Sequence, residues 1–104
     1  MTDLRCALRH RDGTARHVDV TVPLEPSAWS ADDAKEFLWS VIRLLEAPAV
    51  YRVSLVEAEF AKLWRIEVQA ATGVVVTPAM PLSSMAYVWL SETAFRMPQG
   101  KEAN

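Results

Sequence analysis

The chain is poor in the residues that staple, bend or anchor a protein. Of its 104 residues, one is cysteine and three are glycine. A lone Cys6 closes no internal disulfide, so stability has to come from packing, and a reducing, cytoplasmic setting is the expectation. Gly13, Gly73 and Gly100 do not fall in the GxxxxGK[ST] pattern of a phosphate-cradling loop, since Gly100-Lys101 is preceded by Phe95 and followed by Glu102, which excludes a P-loop. No apolar run reaches the ~20 residues that a membrane helix needs. Met1-Thr2-Asp3-Leu4-Arg5-Cys6 lacks the basic-then-apolar order of a signal peptide. An excess of one charge is missing too. Eleven Lys+Arg against 13 Asp+Glu leave −2, which argues against direct nucleic-acid binding held by phosphate contacts.

What the chain does have is apolar content, 51% of its residues, slightly above the ordinary globular range. That fits one domain over residues 1–98, followed by a frayed tail at 99–104. Charge is distributed unevenly along it. Arg5, Arg9, Arg11 and Arg16 outweigh Asp3 and Asp12 at the start, and six acids between Asp19 and Glu46 outweigh Lys35 and Arg43 in the middle.

Alternation marks the strands. Leu4, Cys6 and Leu8 alternate with Arg5, Ala7 and Arg9, and Val18, Val20 and Val22 alternate with His17, Asp19 and Thr21. A three-residue loop, Arg11-Asp12-Gly13, pairs Leu4 with Val20 and Cys6 with Val18, apolar with apolar, and gives Gly13 the left-handed position. The same rule applied to Ala71-Thr72-Gly73 predicts Ala70 opposite Val74 and Val68 opposite Val76. Between the hairpins lies a helix capped by Ser30, with Asp32 and Asp33 in its first turn and Trp29 positioned to staple over Ala34. Its stripe is Ala34, Phe37, Leu38, Val41, Ile42 and Leu45, and Pro48 is its expected stop.

Val50 to Val56 reads as a strand. A bulged turn near Glu57-Ala58-Glu59 is preferred over a short helix across 57–62. Met85 to Leu90 is apolar on both faces and reads as a covered strand, with a helix as the alternative. Val74 to Thr77, ending at Pro78, reads as a sheet edge. The expected fold is therefore α+β: an antiparallel sheet of four to five strands with one main helix on one face, in ββαβββ order.

Candidates for chemistry are few. His10 and His17 have opposite parity in their hairpin, so they share no metal, and one cysteine with two separated histidines makes no zinc set. Cys6 sits among inward apolar residues, where a thiol is inert. Asp32–Asp33 and Glu57/Glu59 are explained by the helix dipole and a turn, and Ser83-Ser84 by a cap or turn. No cofactor is expected.

Surface residues carry the stronger signal. Arg5, Arg9, His17, Asp19, Thr21, Arg52, Ser54, Arg65, Glu67 and Gln69 all have outward parity. They form either a solvated face with cross-strand ion pairs such as Arg5–Asp19 or a recognition surface, arginine being suited to acidic and planar groups. Trp39 lies roughly 130° from the centre of the apolar stripe by the 3.6-residue period, beside Lys35, Glu36 and Arg43. It is either packed under a neighbouring segment or a contact residue. An uncovered edge adds a route to homodimerisation.

The leading expectation is a small non-catalytic interaction module of inhibitor, immunity or adaptor type. It would bind a protein partner through Trp39, Arg43, Arg5, Arg9, Arg52 and Arg65. The rival is a small α+β enzyme or ligand-binding protein using Asp19, Arg52, Tyr51 and Glu67 at a helix–sheet or dimer cleft. RNA binding on the sheet ranks last, because the outward positions hold no aromatic residue.

Overall fold

The first hairpin adopts the expected register. In the computed structural model, which describes residues 1–46, 50–58, 62–93 and 97–98, β1 (Thr2–His10) and β2 (Ala15–Val22) pair antiparallel, with Leu4 opposite Val20 and Cys6 opposite Val18. His10 N–H donates to Thr14 O at 2.8 Å, Gly13 N–H donates to His10 O at 3.1 Å, and Gly13 stands at φ +99°. Asp12 Oδ1 accepts from the Thr14 hydroxyl at 2.7 Å and the Thr14 N–H at 2.9 Å. Those bonds hold its carboxyl below the usual range.

The helix α1 (Ala31–Arg43) starts with a full capping box. Asp33 N–H donates to Ser30 Oγ at 3.2 Å, and Ser30 N–H donates to Asp33 Oδ2 at 2.9 Å. Trp29 is buried beside Phe37, ring centres 5.0 Å apart, and its Nε1 donates to Leu24 O. Ala34, Phe37, Leu38, Val41 and Ile42 are all buried, each of the larger ones contributing about 1.5–3 kcal/mol of transfer free energy. The helix ends at Arg43 through tightened bonds such as Leu45 N–H to Ile42 O, with Glu46 at φ +50°. The expected stop, Pro48, lies outside the described residues.

β3 (Val50–Ala58), β4 (Leu63–Ala70) and β5 (Gly73–Val76) follow. β3 pairs regularly through Ala58 opposite Leu63. Glu57 and Ala58 are therefore still strand, not turn, and residues 59–61 lie outside the described set. Two expectations fail at β5. Ala70 faces Gly73, Val68 faces Val75, and Glu67 faces Val76, one residue away from the expected pairing. Nor is β5 an edge: it lies between β1 and β4, in the order β2-β1-β5-β4-β3 with the two-residue β6 (Met97–Pro98) beside β3. The reason for the register is space. A Cβ on Gly73 would stand 2.3 Å from the Arg9 carbonyl oxygen, so this glycine serves the close approach of β1 rather than a left-handed turn.

Beyond β5, Pro78 interrupts the ladder and Thr77 bridges the gap. Its buried Oγ1 accepts from Ile66 N–H at 2.9 Å and donates to Pro78 O at 3.2 Å. Pairing then resumes at Trp64 and Met80. Thr77→Val keeps the shape and removes the acceptor, so it should cost about 1–3 kcal/mol, measured as a shift in the urea midpoint at unchanged slope.

Met85 to Leu90 is not a strand. It belongs to a second helix, α2 (Ser84–Thr93), so the element order is ββαβββαβ. Ser83 caps it: Oγ accepts from Ala86 N–H at 3.1 Å and donates to Trp29 O, while Ser83 N–H donates to Pro26 O at 3.1 Å. One serine thus ties the start of α2 to the turn before α1. α2 buries Ala86 and Leu90 in the same core as α1, and Tyr87 stacks on Trp64 with ring centres 4.7 Å apart. Both helices cover the sheet face that carries Leu4, Cys6, Leu8, Val53, Ile66, Val68 and Val75. The expected tail, 99–104, lies outside the described residues. No helix among the described residues is long and apolar enough to cross a membrane.

Candidate functional site

The sheet face turned away from the helices is built by parity alone. Register aligns two rows across it: Ala15, Arg9, Val74, Gln69 and Arg52 in one, and His17, Ala7, Val76, Glu67 and Ser54 in the next. Arg5 opposite Asp19, and Arg65 opposite Val56, begin a third row on either side. At ~4.8 Å between strands, Arg9 and Arg52 stand about 14 Å apart and Arg5 and Arg65 about 10 Å apart. Four arginines thus surround a strip of Ala7, Val74 and Val76.

The valines of that strip follow from the one-residue register difference at β5, which buries Val75 and turns Val74 and Val76 outward, each half-buried. Sequence reading missed them because Val74-Val75-Val76 is apolar in either register. Arg5, Arg9 and Arg52 are exposed and Arg65 is half-exposed. Arg5 and Asp19 face each other in register, yet among the described residues no ion pair closes between them.

Trp39 and Arg43 do not join this set. They lie on α1, across the sheet from the open face, around a shallow hollow with Asp32, Lys35 and Glu36. Trp39 is half-buried against the edge of the core, and Arg43 donates to Ser40 Oγ at 3.5 Å. A third surface escaped the sequence because α2 was read as a strand: Met85 and Val88 are exposed beside half-buried Trp89 and Ala31 and exposed Glu92.

The rival set does not converge either. Asp19, Arg52 and Glu67 have open-face parity, whereas Tyr51 is buried on the helix side. His10 and His17 stand on opposite faces, and no cluster of metal-ligating side chains forms among the described residues. Cys6 is fully buried, and desolvation, helped by the charge of Asp19, pushes its thiol up to about 11. No family model, curated protein or solved structure matches the chain.

A thiol in that state should be silent. At pH 8 the folded protein is expected to leave Cys6 unlabelled by iodoacetamide over an hour, and the same reagent should label it fully in guanidinium. The linkage has a sign. Between about 9 and 11 the unfolded chain has released this proton while the fold retains it, so the thiol's contribution to stability falls as pH rises through that window.

Proposed function

We propose that this chain is a small non-catalytic interaction module of the inhibitor, immunity or adaptor type. It acts by binding a protein partner on the open face of its sheet. The observation that supports this reading is the single register that gathers Arg5, Arg9, Arg52 and Arg65 around Ala7, Val74 and Val76. An apolar centre rimmed by four arginines, with Asp19 and Glu67 among them, offers area to bury and charges to fix orientation, the composition of a protein-binding patch. Arginine rather than lysine fits bidentate contact with carboxylates, so the partner's surface should be acidic. A buried, lone Cys6 fits a reducing cytoplasmic setting. The experiment is capture from the source cell with wild type and with an Arg5→Glu/Arg52→Glu variant. A stoichiometric partner held by the first and lost by the second is the expected result.

A further inference from the structure

We infer that β2 is a docking edge for a second copy of this chain, the two strands pairing antiparallel across a two-fold axis at Val18. The inference does not depend on what the open face binds. Among the described residues β2 is the end strand of the sheet and pairs only with β1, and it runs over Ala15–Val22 with no glycine, proline or lysine and no break in register. Natural sheets usually blunt such an edge.

Its free groups can be assigned. The hydrogen bond from His10 to Thr14 fixes the alternation. Arg16, Val18 and Val20 turn their N–H and C=O to β1, while Ala15, His17, Asp19 and Thr21 turn theirs outward. Those four residues are exposed.

Charge then selects the register. An axis at His17 would oppose two imidazoles, and one at Asp19 would oppose two carboxylates. An axis at Val18 sets His17 against Asp19 on both sides, donor against acceptor, and Ala15 against Thr21, so every outward group is paired. On the helix side the half-buried Val18 and Val20 become covered. Arg16, exposed in the single chain, falls opposite Val20 of the second copy. There it enters a groove between β2 and α1 that Asp33 and Glu36 line along with Thr21 and Val22. A strand that complements itself in hydrogen bonding, apolar cover and charge fits an isologous pair.

Light scattering and sedimentation on the purified protein test this. A particle of twice 11.6 kDa is expected at tens of micromolar, and a monomer at 100 µM overturns the inference. His17→Asp places like charges across the axis and should weaken the dimer tenfold or more, whereas His17→Asp with Asp19→His restores the pair and the affinity. Equal behaviour of the two variants overturns the register. Cross-linking gives an independent reading. Residues opposed at a non-hydrogen-bonded axis have Cα atoms about 4.5 Å apart, within disulfide reach. Val18→Cys should therefore form a covalent dimer under mild oxidation, and Val20→Cys should not. Both are made with Cys6→Ala, because Cys6 faces Val18 within the chain. Failure of Val18→Cys to cross-link a dimeric protein places the interface elsewhere.

Discussion

Gly73→Ala is expected to destabilise the fold by about 3 kcal/mol and to lower the thermal midpoint by roughly 12–24 °C. The added Cβ would stand 2.3 Å from the Arg9 carbonyl oxygen and 3.0 Å from His10 Cα. Both are backbone atoms of the neighbouring strand, so no side-chain rotation relieves the overlap and the β1–β5 seam must open. Gly13→Ala is the informative contrast. There nothing lies within 4 Å of the new Cβ, and only the left-handed φ of +99° opposes it, worth about 1–2 kcal/mol. Melting both variants by circular dichroism should separate a glycine needed for space from one needed for conformation.

That contrast explains how far the sequence could be read. The parity argument worked for the first hairpin because Val18 and Val20 are flanked by His17, Asp19 and Thr21 and face Cys6 and Leu4, so only one register sets the large apolar side chains against each other. It failed at the second because three consecutive valines satisfy both parities, and a close approach of two backbones leaves no periodic trace. The helix α1 was legible from its cap and stripe. α2 was not, since Met85 and Val88 stay exposed while Ala86 and Leu90 are buried, which erases the one-sided pattern. Ser83, read as a cap or turn, was the signal that a helix begins there. The arginines of the open face were all legible, because each lies in a strand whose alternation was clear. The valines between them and the distance of Trp39 and Arg43 from them needed the topology.

The open-face variant Arg5→Glu/Arg52→Glu should weaken partner binding about 100-fold or more, some 3 kcal/mol. Each reversal both removes an attraction and sets a carboxylate against an acidic partner surface. Stability should change little, because Arg5 and Arg52 are exposed and bury no apolar group in the core. Trp39→Ala, on the α1 side of the molecule, should leave the affinity within about twofold, which distinguishes the two surfaces. Titration calorimetry with the captured partner reads both.

The most direct measurement is an arginine footprint. Phenylglyoxal modification, followed residue by residue by mass spectrometry, should find Arg5, Arg9, Arg52 and Arg65 reactive in the free protein and protected together in the complex, while Arg11 and Arg43 react equally in both. Protection of Arg43 with the four sheet arginines still open would contradict the account.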